Sequence, residues 1–219
     1  MQERSTREKI LKNIRKALIR QRSEPFPNID WDKSVYAESA SGPEETFANE
    51  FKSIGGHFVF CESEVDFLDQ LVELSVQSGW KKITCLEKEI CEKLDKIDFP
   101  YIIDEKNFEE GIAAITSCEA LVARLGCVIV SSKTESGRRL VVVPTTHIVL
   151  AYTSQLVPDL KDALNRIKDK YGSHLPSYIA CLAGPSRTAD IEKTLVTPAH
   201  GPKDIFVFLI DDSPDSDNL

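Results

Sequence analysis

The sequence predicts an α/β fold on a largely parallel sheet, and three observations carry that prediction. Between residues 43 and 211, apolar runs alternate with segments of helical spacing, the order that builds parallel sheets through helical crossovers. The block ALVARLGCVIVSSKTESGRRLVVVPTTHIVLAY, residues 120–152, instead holds three or four β-branched runs with no room for helices between them, so some of its strands are expected to be antiparallel. A hydrophobic content of 42% against 28% charged residues is that of a chain with a packed core.

Taken in order, the first element is an arm. Ser5 and Glu8 suit a capping box, and Ile10, Leu11, Ile14 and Leu18 recur at helical spacing behind it, with Lys and Arg on the other face. This predicts an amphipathic helix for docking or for a homodimer. Residues 21–42 are polar and contain prolines, so residues 1–42 form an N-terminal helix and linker. The α/β domain follows over residues 43–211. PEETFANEFKSIGG predicts a helix burying Phe47, Phe51 and Ile54, HFVFC a strand, and SEVDFLDQLVELSVQSG a helix closed by Gly79. KKITCL, YIID, SYIACLAG and IFVFLI read as strands; EKEICEKLDKI, NFEEGIAAITSC and VPDLKDALNRIKDKYG read as helices, the last with Pro158 near its start and Gly172 at its end. Residues 212–219 are an acidic tail expected to be disordered.

Composition excludes some functions. A net charge of −8 without a basic block argues against non-specific nucleic-acid binding, though a local basic pocket stays open. No apolar window approaches the roughly 18 residues of a membrane span, and the charged N-terminus lacks the apolar centre of a signal peptide. The expectation is a cytoplasmic protein. Six cysteines are scattered with no CxxC pair, a pattern that fits neither a zinc site nor an iron–sulfur cluster. They are read as buried thiols, and no metal is expected on this chain. The phosphate-loop, dinucleotide, HExxH and GxSxG motifs are absent.

Two segments carry candidate chemistry. The first, GPSRTADIEKTLVTPAHGP, lies between two predicted strands. Gly184 suits a tight turn into a helix, Ser186 and Thr188 can cap it, and Arg187 adds a fork for carboxylate or phosphate. An anionic small molecule is the expected ligand; Asp190 and Glu192 are supporting residues of the segment, but as acids in a first turn they already satisfy the helix dipole and argue partly the other way. The same spacing also suits a plain capped helix with an Arg187–Asp190 ion pair. His200, beside Gly201, is a candidate acid or base. In the second segment, SSKTESGRRL, Glu135 is a candidate nucleophile or base at a turn with Gly137 and Arg138; a solvated hairpin turn fits equally. His147 opens a predicted strand, as a cleft residue or as a structural hydrogen-bonding one.

Together, GPSRTADIE, AHGP, the ESGR turn, the PTTHIVL strand and the final apolar strand resemble the LUD family, named for lactate utilisation. The resemblance covers residues 45–210 and the N-terminal helix. It implies a three-layer α/β fold like that of the ribose-phosphate isomerase, glucosamine-phosphate deaminase and CoA-transferase superfamily. It also implies a subunit that works with iron–sulfur partners to oxidise L-lactate to pyruvate, the clusters held by the partners and no cofactor by this chain. The alternatives are a stand-alone enzyme acting on a sugar phosphate, a CoA thioester or a folate, and a binding module without catalysis. One departure stands out: where many members have an acid–Thr–Gly–Thr turn, this chain has Glu135-Ser136-Gly137-Arg138-Arg139.

Overall fold

A computed structural model describes residues 6–19, 30, 41–103, 113–185, 188–189, 195–196 and 201–213. The chain divides into two units, residues 1–38 and 39–219. The first contains helix α1 (Thr6–Ile19), with Glu8 in its first turn and Lys16 in its last, an arrangement that suits the helix dipole. The proposed cap, Ser5, lies outside the described residues.

The second unit opens with α2 (Pro43–Ser53). Proline at its start and Glu44 and Glu45 in its first turn favour the helix there, and Phe47 and Phe51, one turn apart, are fully buried with their rings stacked. Then follow β1 (His57–Cys61), α3 (Glu64–Ser78), β2 (Ile83–Cys85), α4 (Lys88–Asp95), β3 (Tyr101–Ile102) and β4 (Ala113–Thr116). The Ser63 hydroxyl caps α3 by accepting from the Asp66 N–H. Next come β5 (Ala120–Val122), a short 3-10 turn, β6 (Cys127–Ser131), β7 (Thr146–Tyr152), β8 (Leu156–Val157), α5 (Leu160–Tyr171) and β9 (Ile179–Leu182). Asp159 caps α5 and holds Arg124 through two hydrogen bonds of 2.9 and 2.7 Å. The short β10 (Thr188–Ala189) and β11 (Leu195–Val196) precede β12 (Asp204–Ile210).

Six strands form one sheet in the order β1-β12-β7-β4-β2-β3, parallel throughout. Both faces are covered, as an all-parallel sheet requires. On one face Cys85, Ile115, Ile148 and Phe208 pack against Phe67 and Leu71 of α3 and Ile90 and Leu94 of α4. On the other, Val149, Val207 and Leu209 meet Phe47 and Phe51 of α2 and the inner side of a second sheet. That sheet has the order β8-β5-β6-β9, with β6 antiparallel to both neighbours, and its outer side rests on Ala163 and Ile167 of α5. The expected mixture of a large parallel sheet with some antiparallel strands is what the molecule contains.

Three local expectations are corrected. The helix expected over residues 107–118 is strand β4 across Ala113–Thr116, while residues 104–112 lie outside the described residues. The helix-favouring alanines are overridden because this segment lies between β7 and β2, fully buried, and needs ladder partners for its backbone. The apolar run at residues 140–143 is a series of turns rather than a strand. Only Leu140 and Val141 of that run are buried; the segment crosses from β6 in one sheet to β7 in the other, so the hairpin reading of the Glu135 turn also falls. Finally, where a helix was expected after Gly184, Thr188–Ala189 pairs antiparallel with Leu195–Val196. β-branched Thr188 and Val196 sit opposite one another in that ladder, the backbone state such residues favour.

Candidate functional site

The site follows from where the chain changes face. After β2 it passes to α4 on one side of the six-stranded sheet, and after the neighbouring β4 it passes to the second sheet on the other side. The two exits splay apart beyond the strands' carboxyl ends, which is where open α/β sheets bind ligands. A cleft of about 500 Å³ lies there, with Glu87, Ser117, Lys133, Glu135, Lys170 and Tyr171 in its walls. That size suits a small molecule.

Two buried carboxylates anchor the cleft. Glu87 follows β2, and its Oε1 accepts from the Ser117 N–H at 3.0 Å and the Ser136 hydroxyl at 2.5 Å. It thereby ties the end of β4 to the ESGR turn. Glu119, 4% exposed, accepts from Ser131 at 2.6 Å, Lys170 at 2.9 Å and Tyr171 at 2.8 Å. Burial pushes the Glu119 carboxyl up, but the donors from Ser131, Lys170 and Tyr171 outweigh it and hold the group below its ordinary value. Lys170 responds reciprocally: burial lowers it, the Glu119 carboxylate raises it, and the net direction is up. Glu119 therefore orients two donors, an ammonium and a phenol, at the mouth of the cleft.

The candidate residues from the sequence divide between two ends of the unit. Glu135 lies in the cleft, where its Oε2 accepts from the Lys88 N–H at 2.7 Å and so caps α4. Gly137 continues that turn, its N–H donating to the Thr134 carbonyl at 3.0 Å. Arg138 donates to the Ser177 hydroxyl at 2.6 Å and lies over the Tyr178 ring. Gly184 is at the opposite end of the second sheet, against the carbonyl of Ile54. Gly201 precedes β12 at the amino-terminal edge of the large sheet. Thr188 belongs to the β10–β11 ladder, and Ser186, Arg187, Asp190, Glu192 and His200 lie outside the described residues.

His147 is wholly buried on the large sheet, with Nε2 2.9 Å from the Thr116 hydroxyl and no partner for Nδ1 among the described residues. Burial lowers its pKa to about 4, so at neutral pH the ring is uncharged. The sequence reading passed over Glu87 and Glu119. A signal for both existed: each is an acid at the carboxyl end of an apolar run, in TCLE and TSCE, where the chain leaves a strand.

The geometry can be set against known proteins. Residues 104–210 match the LUD domain family. This stretch is a LUD domain. It contains Ser117, Glu119, Glu135 and Lys170, whereas Glu87 precedes it; the cleft joins the LUD domain to the strands before it. A protein of Bacillus licheniformis named Lactate utilization protein C is 35% identical over 106 residues, 48% of this chain and 44% of that protein. Its namesake in Bacillus subtilis is 35% identical over 109 residues, 49% of this chain and 45% of that protein. The alignments thus span under half the length of these two relatives. The Anoxybacillus flavithermus protein of the same name is 29% identical over 159 residues, 67% of this chain and 71% of that protein. In structure, a DUF162 family protein from Deinococcus radiodurans superposes with a TM-score of 0.58 at 15% identity, covering 80% of this chain and 99% of that one. That likeness establishes the fold alone. No helix among the described residues is long and apolar enough to cross a membrane.

Proposed function

We propose that this chain acts in lactate utilisation, as a subunit that binds a small carboxylate in the β2–β4 cleft and works beside iron–sulfur partners in the oxidation of L-lactate to pyruvate. The observation that carries the reading is the similarity to Lactate utilization protein C, beside the LUD domain match over residues 104–210, which include Ser117, Glu119 and Glu135. A 2-hydroxy acid needs a cation for its carboxylate and a group that manages the hydroxyl proton. Lys170, steadied by Glu119, supplies the first in this proposal, and Glu135 supplies the second. The electron-accepting clusters would reside on the partners.

The test is an affinity capture of the tagged chain from its own lactate-grown cells, handled without oxygen. Co-elution of iron-containing proteins and lactate-dependent dye reduction by the eluate are expected. Capture of an iron-free chain, together with undiminished growth on lactate after deletion of its gene, would overturn the proposal. Direct ligand binding is read separately by thermal unfolding with L-lactate and pyruvate. Saturation at about 100 times Kd adds roughly 2.7 kcal/mol of stability.

A further inference from the structure

We infer that Cys127 and Cys181 form an oxidisable dithiol, which a peroxide converts to a disulfide that staples β6 to β9. The two residues lie on neighbouring antiparallel strands, where Ile129 pairs with Cys181 and Val128 with Leu182, so Cys127 is one diagonal step from Cys181 on the same face of the sheet. Their sulfurs are 2.7 Å apart and both are free thiols. A disulfide requires about 2.05 Å, so the sulfurs need close by less than about 1 Å. Cys127 is fully buried beside Ala163 and Ile167 of α5, whereas Cys181 is exposed on the edge strand of the four-stranded sheet. One sulfur is therefore open to an oxidant in solvent, and the other is held behind it as a resolving thiol.

The chemistry balances with a hydroperoxide as oxidant. The Cys181 thiolate attacks the peroxide oxygen, giving a sulfenic acid and releasing water once the leaving hydroxide takes up a proton. The Cys127 sulfur then attacks the sulfenic sulfur; the disulfide forms, a second water leaves, and two thiol hydrogens have been removed by one peroxide. The contact with Cys127 lowers the Cys181 thiol, against the opposing effect of burial, which favours the thiolate on the exposed residue. Cys127 moves the other way, raised by its contact with Cys181 and by burial. The consequence lies at the strand edge. Among the described residues β9 is bonded within its sheet to β6 alone and leads directly into Gly184, so the staple opposes separation of that strand.

The second close pair supplies an internal control. Cys85 and Cys91 have sulfurs 3.4 Å apart, but Cys85 is buried and pushed upward by that burial. The experiment treats the native, full-length, reduced chain with one equivalent of hydrogen peroxide, then alkylates it and maps its peptides by mass spectrometry. The chain has six thiols, and the expected outcome is four, with one cross-linked peptide pair joining Cys127 to Cys181 and full reversal by dithiothreitol. Cys127→Ser is expected to stop at a sulfenic acid on Cys181 that dimedone traps. Retention of all six thiols by the wild-type chain, a bridge between Cys85 and Cys91, or bridges only between molecules would each overturn the inference.

Discussion

The two ends of the four-stranded sheet are built on opposite principles. At the cleft end, polar side chains meet one another: Ser131 and Glu119 face Lys170 and Tyr171, and Ser177 receives Arg138. At the far end, backbone meets backbone: Gly184 is seated against the Ile54 carbonyl, with the Ile54 side chain beside it. Both ends hold residues that read as chemistry in the sequence. The difference teaches that a glycine in a motif can be required by packing, while the cleft also draws on Glu87 and Glu119, acids that belong to no motif.

The sharpest way to break this comparison is to add the same methyl group at each end. A Cβ at Gly184 would stand 2.6 Å from the Ile54 carbonyl oxygen, on a backbone with φ of +80°. At Gly137, φ is +60° but nothing lies within 4 Å of the added atom. Gly184→Ala therefore incurs both left-handed backbone strain and overpacking, about 2–5 kcal/mol in total. Gly137→Ala incurs the backbone cost alone, about 1–2 kcal/mol. Urea unfolding of the two variants is expected to give that order. Equal losses would mean that the far end yields freely and is not a packing contact.

This contrast also marks what the sequence could reveal. Helices with an apolar stripe and recognisable ends were legible: Ser63 and Gly79 bound α3, and Asp159 and Gly172 bound α5. Strand β12 was legible because six consecutive apolar residues fill the centre of a parallel sheet. Strand β4 was not, since Ala113 and Ala114 favour helix locally and only their place between β7 and β2 makes them strand. The cleft was legible only through Glu135. Glu87, Ser117 and Ser136 are far apart in sequence, and only the divergence of the chain after β2 and β4 brings them together. No local spacing encodes that divergence.

The next largest effect concerns the segment that joins the two ends. It runs from the Glu135 turn across the large sheet to β7, and His147 lies fully buried at the start of that strand. Burial depresses the folded-state pKa of His147 from 6.5 to about 4. Below pH 6.5 the unfolded chain therefore binds a proton that the folded chain refuses, and stability falls as pH falls toward 4. This contributes on the order of 3 kcal/mol, fully present above pH 6.5 and lost progressively through that window. Unfolding free energies measured at pH 7, 6, 5 and 4 are expected to decline more steeply for the wild-type chain than for His147→Leu. Parallel pH profiles would show that the ring is hydrated or charged in the folded state, and the two ends would then be joined by a softer segment than the buried ring implies.

The smallest effect on stability is expected at Glu135, and it separates two roles that coincide in one side chain. As a cap, the carboxylate accepts from the Lys88 N–H and places negative charge at the start of α4. Glu135→Gln keeps an acceptor oxygen at nearly the same position and removes only the charge, a loss of about 0.3–1 kcal/mol for an exposed group at a helix N-terminus. As a proton acceptor for a bound hydroxy acid, the same residue would be indispensable, since an amide cannot take the proton. Positioned acid–base groups contribute roughly 100- to 10,000-fold to rate. The measurement is lactate-dependent turnover of the captured complex beside urea unfolding of the isolated chain. A fall in turnover of 100-fold or more with a stability loss under about 1 kcal/mol assigns the carboxylate to chemistry, because the loss of a cap of this size cannot account for it. Unchanged turnover with the same small stability loss leaves Glu135 as the residue that holds α4 to the cleft wall, and moves the search for a base to Glu87, the other carboxylate that bridges the two sides.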